Sequence, residues 1–107
     1  MIARVAAGKK AEGIVILDMK QICSYTDFFV ICSGRSSRQA QAICDEVRLK
    51  VKVAGVSPSS LEGEVKGDWI LMDYLDVIVH IFTPEARDFY RLEVLWKEAL
   101  RVEMVEA

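Results

Sequence analysis

Residues 69–82 read W-I-L-M-D-Y-L-D-V-I-V-H-I-F, and this stretch decides the fold. Two apolar runs, 69–73 and 77–82, flank a short turn at Tyr74 and Leu75, which predicts a tight antiparallel hairpin. Both runs are almost wholly apolar, so both faces of the hairpin need cover from other elements. The stretch therefore predicts two strands inside a larger sheet.

The upstream half of the chain supplies two more strands and the longest helix. Residues 14–17 and 27–32 are continuous apolar runs, which predicts strands buried on both faces. Ser36 and Gln39 form a capping-box pattern before an apolar stripe at helical spacing, and Gly55 marks the end of that helix. A helix between strands permits a parallel crossover, so the sheet is predicted to be mixed.

The two ends of the chain complete the predicted order. A short helix is expected in the first ten residues, and a short extended piece at 56–61 belongs on a sheet edge because of Pro58. Thr83 and Pro84 begin a last helix as N-cap and first helical residue. Its predicted core stripe is Phe89, Leu92, Trp96 and Ala99, followed by a charged tail at 103–107.

The elements follow the order α-β-β-α-β-β-β-α, which predicts an α/β protein of the α+β mixed-sheet kind. We expect about five mixed strands and three helices, and residues 1–107 forming a single domain. Three helices are expected to leave part of a five-stranded sheet uncovered. That uncovered part is a candidate surface for a partner or a second copy of the chain.

Composition excludes several classes of protein. The net charge of -2 disfavours a protein that grips nucleic acid mainly by charge. Cys23, Cys32 and Cys44 form no C-x-x-C pair, so they are interpreted as reduced interior thiols rather than metal ligands. No apolar run is long enough for a signal segment or a membrane span, which favours a cytoplasmic protein without membrane contact.

Three groups of polar residues are candidates for chemical sites. The turn containing Ser33, Gly34 and Ser36 lies where a strand feeds a helix and is a possible vestigial anion-binding turn, although a plain turn with a helix cap is favoured. Asp73 and Asp76 flank the hairpin turn without the D-x-D spacing typical of a metal pair. His80 has no nucleophile paired with it by spacing. No catalytic set, metal or cofactor is predicted.

Four collinear motifs carry a family resemblance. They are S-G-R-S-S-R-Q at 33–39, D-W-x-L-x-D-Y at 68–74, D-V-I-V-H-x-F at 76–82 and Y-x-L-E-x-L-W at 90–96. Together they resemble the ribosomal silencing factor (Iojap) family, from about residue 9 to residue 97. The family pattern usually has glycine where this chain has Leu75, at a turn that calls for a positive φ.

The resemblance implies a fold and a function. The fold is nucleotidyltransferase-like, without known transferase activity. The function is binding to the fourteenth protein of the large ribosomal subunit, which blocks joining of the small subunit and represses translation when nutrients are short. Homodimer formation is also implied. Because the chain is slightly acidic, we expect it to dock on protein with little direct rRNA contact.

The hypothesised docking surface combines large apolar anchors with acidic groups. Its residues are Trp69, Leu71, Asp73, Tyr74, Asp76 and His80, supported from the last helix by Arg87 and Tyr90. The alternative is a nucleotide-binding protein or active nucleotidyltransferase of the same fold, based on fold analogy and the turn at Ser33 and Gly34. A third interpretation, a thiol protein, needs an exposed cysteine of low pKa.

Overall fold

A computed structural model describes residues 1–102, and the predicted charged tail at 103–107 lies outside this range. The described helices are α1 (Ile2–Gly8), α2 (Ser37–Val53), α3 (Pro84–Tyr90) and the single turn α4 (Leu92–Leu95). The described strands are β1 (Glu12–Asp18), β2 (Phe28–Ser33), β3 (Ser60–Glu62), β4 (Trp69–Asp73), β5 (Val77–Phe82) and β6 (Leu100–Val102). The predicted class and element order are confirmed, and α4 and β6 extend them.

The strands form one mixed sheet in the order β3-β4-β5-β2-β1-β6. β4 and β5 pair antiparallel with Trp69 opposite Phe82, which confirms the predicted hairpin. At the centre of the sheet β2 and β5 run parallel, with Phe28 opposite Val77. The long helix α2 lies on the connection between these two strands, and it was expected to permit such a parallel pairing.

Side chains of the central strands alternate between two cores, one on each face of the sheet. On one face Val30 and Val79 pack with Ile43 of α2, and on the other Phe29 and Ile78 pack with Leu92. β1 was predicted to be buried on both faces, but only Leu17 is fully buried there. The reason is position, since β1 lies one strand from the edge and its outer neighbour β6 has only three residues.

Helix α2 begins and ends close to the predicted residues. The hydroxyl of Ser36 accepts the backbone N–H of Gln39 at 3.1 Å, and Gly55 follows the last turn with a φ of +91°. The second half of the predicted capping box is absent, because the Gln39 side chain donates instead to the carbonyl of Lys9 at 2.6 Å. That bond ties the end of α1 to the start of α2.

The last helix was predicted to run without a break, and this prediction is wrong. Arg91 adopts a left-handed φ of +48°, which ends α3 and sends the chain through α4 into β6. Phe89, predicted to be a core residue, is 80% exposed, whereas Leu92 and Ala99 are buried as expected. In place of a longer helix, β6 pairs with β1, which would otherwise be the unpaired edge of the sheet. Within residues 1–102, no helix is long and apolar enough to cross a bilayer.

The hairpin turn places Leu75 at a φ of +71°, the left-handed conformation expected where the family pattern has glycine. The side chain is exposed, so little apolar burial is lost on truncation. Leu75→Gly should raise the free energy of unfolding by up to about 1 kcal/mol, because it removes the steric cost of a Cβ in this region. Urea denaturation measures the change. Leu75→Ala is the matched control, because it shortens the side chain but keeps the Cβ; an equal gain in both variants would contradict the prediction.

Candidate functional site

The register of the hairpin brings part of the predicted docking set onto one face of the sheet. Trp69, Leu71 and Asp73 alternate along β4 and therefore point to the same side. Across the ladder Trp69 faces Phe82 and Leu71 faces His80. We call the surface formed by Trp69, Leu71, Asp73 and Tyr90 the aromatic face.

The indole of Trp69 is held on three sides. It stacks on the ring of Phe82 with the centroids 5.1 Å apart, and the ring of Tyr90 on α3 lies 4.5 Å away. Its Nε1–H donates to Nδ1 of His80 at 3.1 Å. The ring remains half-buried, and Tyr90 is 45% exposed. A large aromatic side chain is thus fixed in place while part of it stays available for contact.

His80 does not reach the surface, since only 4% of the residue is exposed. Burial lowers the pKa of the imidazole to about 4, so the ring is neutral near pH 7. Because Nδ1 accepts from Trp69, the neutral ring carries its proton on Nε2. Nε2 is buried and has no hydrogen-bond partner among the residues that the structure describes.

The hairpin turn separates the remaining predicted residues. The Tyr74 ring packs against the core on the α2 face, and burial raises the pKa of its phenol. Asp73 accepts the N–H of Leu75 at 2.8 Å through Oδ1. The side chain of Asp76 is exposed, while its carbonyl accepts the N–H groups of Asp27 and Phe28. The acidic pair thus lies at the turn, but Tyr74 faces away from Trp69.

Arg87 is committed to contacts within the protein. Its Nε pairs with Glu93 at 3.1 Å, and its Nη1 donates to the Ser33 hydroxyl at 3.0 Å and to the Glu12 carbonyl at 3.4 Å. The side chain is only 17% exposed. Arg87 therefore ties α3 to β1 and β2. Of the two predicted helix residues, Tyr90 is the one whose ring contacts Trp69.

Three polar groups of the candidate anion-binding turn form hydrogen bonds within the protein. Ser33 accepts from Arg87, the Gly34 N–H donates to the Phe82 carbonyl at 2.9 Å, and Ser36 caps α2. A Cβ on Gly34 would lie 2.6 Å from the backbone nitrogen of Ala40, so glycine permits the close approach of strand and helix. Within residues 1–102 no group of three or more His, Cys, Asp or Glu side chains is arranged to hold a metal.

The cysteines behave as interior thiols. Cys32 and Cys44 are buried, and burial raises the pKa of Cys32 to about 12 and that of Cys44 to about 11. Such thiols are poor nucleophiles near pH 7. Cys23 is partly buried, and its thiol lies 3.7 Å from the carbonyl of Thr26.

Sequence reasoning missed the exposed apolar residues beyond the aromatic face. Phe89 and Leu95 are exposed because the helix breaks at Arg91. No glycine or proline marks that break, so a residue pattern alone offered no signal for it.

Comparison with known proteins establishes the family. The family model described as "Ribosomal silencing factor during starvation" matches residues 1–107. The chain belongs to this family of ribosomal silencing factors. It is 44% identical over 96 residues to the ribosomal silencing factor of Halalkalibacterium halodurans, which covers 90% of this chain and 82% of that protein. A crystal structure of a Bacillus halodurans protein matches with a TM-score of 0.85 and 40% identity, over 96% of this chain and 94% of that one.

The name of a more distant relative mentions the large ribosomal subunit. The mouse protein "Mitochondrial assembly of ribosomal large subunit protein 1" is 29% identical over 99 residues. The match covers 90% of this silencing-factor chain but 43% of the mouse protein. The names of these relatives describe ribosome-associated regulation or assembly and no catalysed reaction.

Proposed function

We propose that the chain binds the large ribosomal subunit through its fourteenth protein and thereby blocks association with the small subunit. Translation would be repressed in this way under nutrient limitation. Family membership supports the ribosomal role, and the name of the mouse relative supports the large subunit as partner. The observation that carries the docking site is the indole of Trp69, which is held in place by its neighbours while the residue stays only partly buried.

The chemistry of the aromatic face favours a basic protein partner. Trp69, Leu71 and Tyr90 supply apolar area that can be desolvated on contact. Asp73 and the exposed Asp76 supply negative charge at the neighbouring turn. Such a surface would repel rRNA phosphates and attract lysine and arginine side chains, so docking requires little direct rRNA contact.

The proposed mechanism is steric and involves no reaction. A 107-residue protein seated on the joining face of the large subunit occupies space that the small subunit needs. The Ser33 and Ser36 hydroxyls and the Gly34 N–H are engaged within the protein, which does not favour the alternative of a nucleotidyltransferase.

Cosedimentation tests this function directly. The purified chain is mixed with isolated large subunits, isolated small subunits and joined ribosomes in separate tubes. We expect it to pellet with large subunits alone and to decrease the joined particles formed when both subunits are supplied. Binding only to small subunits, or normal joining with saturating protein bound, would contradict the proposal.

We also propose that residues 1–107 act as one cytoplasmic domain that forms a homodimer, as the family resemblance implies. Sedimentation velocity at micromolar concentration would contradict the dimer if it gave the mass of one chain. Cell fractionation tests the location.

A further inference from the structure

Burial of His80 lowers the stability of the fold, because the Nε2 atom of its ring has no hydrogen-bond partner among the described residues. Its ring is almost fully buried, and the proton on Nε2 has no acceptor among the described residues. A buried donor without a partner is destabilising, and an apolar side chain at this position would remove that donor but would leave the part-buried indole N–H of Trp69 without its acceptor. Burial alone therefore does not explain a histidine at this position.

Among residues 1–102, the polar contact of the His80 ring is made by Nδ1, which accepts the indole N–H of Trp69 at 3.1 Å. The stack on Phe82 limits the plane of the indole. A ring stack is weakly directional, however. It would hold the indole equally well if the ring were flipped so that its Nε1 edge pointed the other way. The hydrogen bond does make this distinction, because Nε1 is the only polar atom of the indole.

We infer that His80 is a positioning residue, which does not touch the partner but sets the orientation in which Trp69 meets it. This inference rests on the proposed function, since it assigns Trp69 to the docking contact. It removes His80 from the contact surface and gives it a role beneath that surface, consistent with its burial.

The same bond defines what the partner can present to Trp69. With Nε1–H engaged by His80, the rest of the indole offers a partner only carbon atoms. A partner would gain nothing from placing a hydrogen-bond acceptor there. An aliphatic side chain, or a lysine or arginine lying over the ring, fits this surface and agrees with the acidic groups at the turn.

Two substitutions at one position separate positioning from structure. His80→Leu removes the acceptor and fills the space with carbon, and His80→Asn keeps an acceptor close to the place of Nδ1. We expect His80→Leu to unfold at a urea concentration close to that of the wild type, because it removes one unpaired donor, Nε2–H, and leaves another, the Trp69 indole N–H, without its acceptor. Its affinity for large subunits should nevertheless fall about 3- to 10-fold, because Trp69 must then be ordered on binding. His80→Asn should recover most of the affinity.

The indole N–H resonance of Trp69 in a ¹H–¹⁵N spectrum of the free protein is a second readout. It is assigned with Trp96→Phe, which leaves only one tryptophan. In His80→Leu the resonance should shift and broaden, and in His80→Asn it should stay close to the wild-type position.

The outcomes separate this inference from the proposed function. If the wild type binds large subunits and His80→Leu binds equally well, the positioning role is wrong and the function stands. If His80→Leu lost stability and affinity together, His80 would be a structural residue and the positioning role would be wrong. If the wild type fails to bind large subunits, the proposed function is wrong, and an unchanged Trp69 resonance in His80→Leu would overturn the positioning role as well.

Discussion

Trp69→Ala is expected to weaken binding to the large subunit about 30-fold or more, which corresponds to about 2 kcal/mol for the loss of a central aromatic anchor. The physical reason is that the indole is already ordered by Phe82, Tyr90 and His80, so its contact area is gained at little entropic cost. Titration of labelled protein against purified large subunits measures the change.

Trp96→Ala is a control and Asp76→Ala is a second test of the docking surface, and together they make this result specific. Trp96→Ala removes the other tryptophan, which is also half-buried and packs edge-on against Phe29 at 6.1 Å, so it reproduces the loss of bulk outside the aromatic face. Asp76→Ala removes an exposed carboxylate while leaving its backbone bonds to β2 in place. If folded Trp69→Ala and Asp76→Ala both retained wild-type affinity, the docking surface would lie elsewhere.

Acidification is expected to destabilise the fold through His80. Its pKa is about 4 in the folded protein, below the ordinary value near 6.5. As the pH falls from about 6.5 to 4 the unfolded chain therefore binds a proton that the folded chain does not. Stability is lost across this window by about 3 kcal/mol.

The comparison of wild type with His80→Leu isolates this effect. The rings around His80 belong to Phe29, Trp69 and Phe82, none of which titrates in this range, and burial alone lowers the pKa. Urea denaturation from pH 7 to pH 4 should show a steeper loss in the wild type than in the variant. Equal slopes would mean that His80 is not the group responsible.

Strong local patterns made most of the fold predictable. The apolar runs of β2, β4 and β5, the Ser36 cap and the Gly55 stop each depend on neighbouring residues, and the structure bears them out. The break at Arg91 could not be predicted in the same way. It depends on a pairing between β6 and β1, which are far apart in sequence, and that pairing outweighs the helical spacing of the last segment.

The candidate site was predictable to the extent that it follows strand alternation. Alternation puts Trp69 and Leu71 on one face, and the structure has them there. Tyr74 directly follows Asp73, so alternation also places it on the opposite face, where it packs; it was grouped with Trp69 only because a tyrosine at a turn is hard to bury. The internal role of Arg87 depends on Ser33 and Glu93, a combination that no spacing reveals.

The parallel pairing of β2 with β5 also has a consequence for how the chain folds. Phe28 lies opposite Val77, so nearly half of the chain separates the two strands at the centre of the sheet. Contacts between such distant segments form late, because closing a long loop costs entropy before any contact rewards it. During synthesis the sheet centre cannot assemble until residue 82 has emerged from the exit tunnel.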